Sequence, residues 1–237
     1  MFEAVLFDLD GTLLDIDMDY FLTMYFKEMG RMAALSGCCD PKRMVAQILS
    51  STDVMIKDIN PKTRNEETFM NDFISNLEAD ELEMRAFFDD FYRIGFPRLQ
   101  EYCRPFAGIP EMMAGVFKHG FKVVIATNSV FPREAVQARL KWAGVGEFKY
   151  ELITCYENMH YCKPYPQYYQ EIVENIGVDP SACLMIGNDT GEDLVAGEIG
   201  IKTFLVEDRI IDKGNSSYLP DWRGSMQELF EFMEKLK

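Results

Sequence analysis

Two aspartates near the N-terminus, Asp8 and Asp10, close the apolar run Val5-Leu6-Phe7 and lead into Gly11-Thr12. Such a run reads as a buried parallel strand, and the carboxyl ends of strands in an open α/β sheet are where ligands bind. Side chains alternate along a strand, so carboxylates at i and i+2 can be aimed at one site, while the glycine permits a tight turn. Taken singly, Asp8 is a turn residue, since Asp and Gly are common in turns. A second acidic set changes that reading. Cys183-Leu184-Met185-Ile186-Gly187 is another apolar strand, and it ends in Asn188-Asp189-Thr190-Gly191-Glu192-Asp193. If a helix starts near Thr190, Asp189 and Asp193 both lie over its first turn, where the helix dipole gives a carboxylate about 0.3–1 kcal/mol. Two carboxylates about 4 Å apart repel by roughly 4 kcal/mol at an effective dielectric of about 20. If Asp8 and Asp189 share a crevice, the dipole cannot offset their repulsion, whereas a divalent cation can. An all-oxygen, carboxylate-rich site acting on phosphate suits Mg²⁺, which keeps several waters and needs few protein ligands.

Two further strand ends add hydrogen-bond donors and a cation. Val123–Ala126 runs into Thr127-Asn128-Ser129, so Thr127 offers a hydroxyl and Asn128 an amide to phosphate oxygens. Tyr161-Cys162-Lys163-Pro164 places Lys163 just ahead of a helix start. Alone it reads as a solvated lysine; beside a phosphate it would balance both the nucleophile and the transferring group.

The elements that must position these residues are legible as alternating strands and helices. Ala4–Phe7, Lys122–Ala126, Glu151–Cys155, Cys183–Ile186 and Lys202–Val206 read as buried parallel strands. Pro132 opens a helix carrying Val136, Leu140 and Ala143 on one face, and Pro166 opens another with Tyr169, Ile172, Val173 and Ile176. Ser225 and Glu228 stand at capping-box spacing before Leu229, Phe230, Met233 and Leu236. Alternation of this kind predicts right-handed crossovers and a doubly wound α/β parallel-sheet core. Residues 15–105 break the pattern and read as helix after helix, with Phe69, Met70, Phe73, Ile74 and Leu77, then Phe87, Phe91 and Ile94, at helical spacing. The chain therefore divides into a core of residues 1–14 and 106–237 and an all-helical insertion of residues 15–105. The stretch after Thr12 and Pro105–Pro110 are its expected hinges. The insertion's Met and aromatic residues read as core packing.

Composition narrows the function classes. The 237 residues are 48% hydrophobic and 27% charged, the balance of a globular protein. A net charge of −15 argues against general affinity for nucleic acid and for anionic membranes, both of which need clustered cations. The sequence shows no signal-peptide pattern and no apolar run long enough to span a bilayer. Six cysteines without a CxxC pair read as reduced thiols, and a cytoplasmic location is expected. The spacing of Cys155 and Cys162 does not suit a zinc site. His119, near a helix end, reads as structural, and His160 matches no role in the site.

The whole set, in this order, resembles the haloacid dehalogenase superfamily of phosphatases, over Phe2–Thr12 and about Phe106–Val206. The resemblance implies a Rossmann-like core and, for the insertion, the helical cap of the subclass that carries it between the first and second motifs. Asp8 then matches the family's nucleophile and Asp10 its acid/base. Thr127 matches the phosphate contact of the second motif, with Asn128 beside it, Lys163 the lysine of the third, and Asp189 and Asp193 the acidic pair of the fourth. By the same resemblance Mg²⁺ would be held by the Asp8 carboxylate, the Asp10 carbonyl and Asp189, with Asp193 in support behind them or through water. The implied activity is hydrolysis of a small phosphorylated metabolite, a phosphate monoester, through an aspartyl-phosphate, by a monomer or homodimer. The family's dehalogenase branch lacks the second aspartate of the first motif, so Asp10 argues against it. A phosphomutase of the same family, or a binding or regulatory protein retaining the fold, stays open. Receiver-type signalling modules place their acceptor on a middle strand and carry no such insertion.

Overall fold

Ala4–Phe7 is buried at every position, and such a strand is stable only with a partner on each edge and a layer on each face. The computed structural model describes residues 1–214 and 216–236 and supplies both. In chain order the elements begin with β1 (Ala4–Phe7), β2 (Leu14–Ile16), α1 (Met18–Ser36), α2 (Pro41–Lys57), α3 (Asn65–Leu77) and α4 (Glu81–Asp90). A π-helical turn (Phe91–Gly95) and a 3₁₀ stretch (Phe96–Tyr102) lead into β3 (Cys103–Pro105), α5 (Ile109–Lys118), β4 (Lys122–Ile125), α6 (Arg133–Trp142) and β5 (Leu152–Ile153). The chain continues through α7 (Pro166–Ile176), β6 (Cys183–Gly187), β7 (Lys202–Val206), β8 (Trp222–Gly224) and α8 (Met226–Lys235).

The main sheet is parallel, in the order β5-β4-β1-β6-β7-β8. Phe7 is in register with Ile125 on one side and Ile186 on the other. The loops after β1, β4 and β6 therefore emerge side by side. The doubly wound α/β expectation holds, and β1 sits where the strand order reverses.

Sequence signals set many of the boundaries. Asp17, Asp40 and Asp80 cap α1, α2 and α4 by accepting from Tyr20, Arg43 and Glu83 N–H. Pro166 occupies the first turn of α7, and Ser225 with Glu228 forms the capping box of α8. In residues 18–102 Phe21, Tyr25, Met29, Phe69, Phe73, Phe91 and Phe96 are buried together as a core.

Several expectations are corrected. Ile94 is exposed, because the π turn adds a residue and rotates the helical stripe out of phase. Where the hinges were expected the chain forms an antiparallel ribbon, β2 on β3, pairing Leu14 with Pro105 and Ile16 with Cys103, and its second strand ends where Pro105–Pro110 begins. β5 is shorter than the Glu151–Cys155 run, and β8 was not anticipated. No α-helix starts near Thr190; that segment is turn, followed by a 3₁₀ stretch, Leu194–Ile199. Among the described residues no helix is long and apolar enough to cross a membrane.

Ser225→Ala removes the α8 cap and is expected to cost about 1 kcal/mol. For a chain of this size that lowers Tm by about 2–4 °C, readable by thermal denaturation.

Candidate active site

The loop after β1 is anchored from both sides. Asp8 N–H donates to Ile186 O at 2.8 Å, which continues the β1–β6 pairing up to the candidate nucleophile. Gly11 has φ +86°, and a Cβ there would come within 2.4 Å of the Asn188 amide. Asn188 uses that proximity, accepting from Thr12 Oγ1 (3.0 Å) and donating to Arg209 O (2.6 Å). One side chain thus joins three loops.

At the end of β6 the carboxylates are sorted by what they touch. Asp193 accepts from Asp189 N–H through Oδ2 (2.9 Å) and from Lys163 Nζ through Oδ1 (2.6 Å). Gly187 makes room for it: a Cβ there would lie 2.1 Å from Asp193 Oδ2. Asp189 turns Oδ1 to the N–H groups of Gly191 (2.7 Å) and Glu192 (2.9 Å). The capping that sequence reading assigned to a helix dipole is therefore made by direct hydrogen bonds inside a turn.

Lys163 is the hub. Its ammonium, 1% exposed, donates to Asp8 Oδ1 at 2.9 Å as well as to Asp193, and sits 5.9 Å from the Tyr168 ring centroid. Asn128 holds the lysine's backbone, accepting from Lys163 N–H (3.2 Å) and donating from Nδ2 to its carbonyl (3.4 Å) and to Glu192 Oε2 (3.0 Å). The amide that sequence reading offered to phosphate is thus engaged in placing Lys163. Thr127 lies buried at the end of β4, its carbonyl accepting from Tyr168 Oη and Thr154 Oγ1, both at 2.7 Å.

Burial dominates the electrostatics. It pushes the Asp8 carboxyl up to about 8, against the pull of Lys163 and with Asp193 and Asp10 adding to the rise. Burial works against the Lys163 ammonium, yet Asp193 and Asp8 more than offset it and hold it well above the usual lysine value. Burial also raises the Asp10 and Glu192 carboxyls. Lys163 and Arg139 are two cations among the four acids Asp8, Asp10, Glu192 and Asp193, which leaves the crevice short of positive charge. No cluster of three or more His, Cys, Asp or Glu side chains with metal-binding geometry occurs among the described residues.

Asp8, Asp10, Lys163 and Asp193 share one crevice at the end of the central strand, as their mutual charge effects require. Two residues that matter here were missed from sequence, Asn188 and Arg139. Arg139 on α6 is fully buried and pairs through Nη1 with Asp10 Oδ2. Its signal was available: it falls three residues after Val136, on the stripe read as apolar. His160 binds Glu171 at 2.6 Å and stands outside the cluster.

The insertion reaches these same loops. Asn65, at the start of α3, is buried and donates from Nδ2 to Ser129 Oγ (2.9 Å) and Tyr161 O (3.3 Å), while its backbone N–H donates to Met159 O (3.0 Å).

Comparison with known proteins matches residues 2–198 to the haloacid dehalogenase-like hydrolases. The chain is 29% identical to an N-acetylmuramic acid 6-phosphate phosphatase of Pseudomonas aeruginosa, over 86% of this chain and 81% of that protein. It is 24% identical to the pyrophosphatase PpaX of Halalkalibacterium halodurans, over 86% and 83%. In fold it is similar to a HAD phosphatase of Thermococcus onnurineus, with TM-score 0.59, 18% identity and 98% and 97% of the two chains covered.

Gly187→Ala is expected to force Asp193 aside and cost about 1–3 kcal/mol. Gly115→Ala, in α5 with nothing within 4 Å of the added carbon, is expected to be neutral or to stabilise by up to about 1 kcal/mol. Denaturant midpoints of the two variants check the opposite signs.

Proposed function

The chain belongs to the haloacid dehalogenase-like hydrolases, and we propose that within this family it is a Mg²⁺-dependent phosphatase of a small phosphorylated metabolite. The observation that carries the reading is Asp8, buried at the end of the central strand with Lys163 Nζ 2.9 Å from one of its oxygens. A carboxylate so placed is oriented and charge-compensated for attack on an anionic phosphoryl group.

The donors present suit the ion. Among the described residues no side-chain or loop donor reaches Asp8 Oδ2 or the Asp10 carbonyl, and Asp189 keeps one carboxylate oxygen free of the turn it caps. Two carboxylates and a carbonyl are the modest protein ligand set that Mg²⁺ takes alongside waters and substrate oxygens. These three groups would hold it, and the ion would supply positive charge at the transferring phosphoryl group.

The side chains then divide the work. Asp8 attacks phosphorus in line and becomes an aspartyl-phosphate. Asp10 gives its proton to the departing alcohol and then takes one from the water that hydrolyses the acyl phosphate. Lys163 neutralises charge on Asp8 and the phosphoryl oxygens, and the Thr127 hydroxyl contacts those oxygens. Asn128 acts through Lys163, and Asp193 through Lys163 and the Asp189 backbone. Residues 15–105 serve as a cap that excludes water and restricts the crevice to small esters. The relative named for N-acetylmuramic acid 6-phosphate supports a phosphate monoester as the substrate class. A reducing, cytoplasmic setting belongs to the proposal, since all six cysteines stand as free thiols.

A screen of sugar phosphates, nucleotides and short phospho-acids is expected to find Mg²⁺-dependent phosphate release, and Asp8→Asn is expected to abolish it. Full activity in that variant, or indifference to EDTA, would sink the reading. Binding has a separate readout. Mg²⁺ at about 100 times its Kd adds about 2.7 kcal/mol, a Tm rise of about 5–10 °C at this chain length. Calorimetry should show that rise in the wild type and its loss in Asp189→Ala.

A further inference from the structure

Arg139 is a buried cation that the reading above does not use. It is 0% exposed, and its guanidinium lies 4.4 Å from the centroid of the Phe131 ring. Nε donates to Ala135 O at 3.2 Å within its own helix, and Nη1 donates to Asp10 Oδ2. Two buried atoms of this pair have no partner, Arg139 Nη2 and Asp10 Oδ1, and they are the only such side-chain atoms found among the described residues. The pair is therefore single-pronged where a guanidinium and a carboxylate can make two parallel bonds.

A buried polar atom without a partner costs stability, so stability is not what the pair supplies. An acid/base carboxyl must stay aimed if it is to give and take a proton. Arg139 grips Oδ2 and fixes the carboxyl's orientation, with Oδ1 enclosed beside it. The grip is itself braced beneath the insertion. Phe131, under the guanidinium, packs edge-on against Tyr25 of α1 with centroids 5.7 Å apart. Trp142, on the same helix as Arg139, stacks on Phe96 at 5.3 Å.

We propose that Arg139 is the positioning residue for Asp10: it holds Oδ2 and so fixes the carboxyl that protonates the leaving alcohol and later accepts a proton from the attacking water. The proposal rests on the acid/base reading of Asp10. In the first step an Asp8 oxygen bonds to phosphorus as the ester P–O bond breaks and the Asp10 carboxyl proton passes to the leaving oxygen. In the second, the Asp10 carboxylate takes a proton from water as the water oxygen bonds to phosphorus and the P–O bond to Asp8 breaks, releasing phosphate.

The test is stopped-flow hydrolysis of p-nitrophenyl phosphate with Mg²⁺ present. Nitrophenolate leaves as the anion, so the first turnover needs no proton from Asp10, whereas hydrolysis of the aspartyl-phosphate needs Asp10 as base. In Arg139→Met the first turnover should stay within about threefold of wild type while the steady-state rate falls about tenfold or more, general acid–base catalysis being worth about 10²–10⁴. The trace should then show a burst approaching one nitrophenolate per chain. Arg139→Lys should recover part of the steady-state rate, and Phe131→Leu should give a milder form of the same split. If Arg139→Met does not fold by circular dichroism, those two variants decide the matter. In an Asp10→Asn background, Arg139→Met should change the steady-state rate by less than about twofold, because residues acting as one unit are not additive. Equal loss in both phases, or a full additional loss in the Asp10→Asn background, overturns the proposal and leaves Arg139 a packing residue. Wild-type turnover by Asp10→Asn alone overturns the acid/base reading instead.

Discussion

The site depends on one buried ammonium shared between two carboxylates. Lys163 lies 2.9 Å from Asp8 and 2.6 Å from Asp193. Without it, the ends of β1 and β6 would bring uncompensated acids together in a medium where each pair repels by several kcal/mol. The surrounding geometry follows from that requirement. Asn128 holds the lysine's backbone on both its N–H and its carbonyl, so Lys163 is fixed in position before its long side chain reaches inward. Gly187 lacks a side chain because Asp193 occupies the space. Burial still leaves Asp8 at about 8, so the lysine alone does not complete the charge balance.

Strand order turns this local balance into a crevice. With β1 between β4 and β6, the Thr127-Asn128-Ser129 loop and the Asn188–Asp193 loop flank Asp8. The helical insertion rests on the same loops: Asn65 binds Ser129 Oγ and Tyr161 O, and Glu66 N–H donates to Tyr156 O at 2.9 Å. Its polar seat lies a few residues from Thr127 and Lys163. Any movement of α3 away from the core breaks hydrogen bonds to the segments that carry these side chains, which ties the position of the insertion to the order of the site.

What was legible in the sequence was local. β1 and β7 run over the residues their apolar patterns predicted, and Ser225 with Glu228 caps α8 as its spacing required. The acidic strand ends and Thr127 stood out because each closes an apolar run, and Lys163 because it stands just ahead of a helix start. Residues whose meaning lies in a distant partner did not stand out. Asn188 meets Thr12 across 176 residues, Arg139 meets Asp10 across 129, and Asn65 meets Ser129 across 64. Asn128 was read correctly as a hydrogen-bonding group but given to the ligand, because no spacing reveals that Lys163's backbone would lie within its reach. The helix expected at Thr190 failed for a local reason: Asp189 binds the N–H groups of Gly191 and Glu192 and favours a turn.

Arg139 shows what a periodic pattern leaves unsaid. Its place on α6, beside Val136 and Leu140, would suit leucine, which would fill the space without a desolvation cost. Buried ion pairs are commonly no more stable than apolar groups of the same volume, so stability alone gives no reason for a guanidinium there. Asp10 supplies one. Sequence places that carboxylate at a strand end lined by other acids, and burial favours its neutral form. A cation arriving from the next helix over, stacked on Phe131, gives it one fixed orientation. The cost of burying Arg139 and the fixed orientation of Asp10 are then two sides of one interaction, which is why neither residue's environment makes sense without the other.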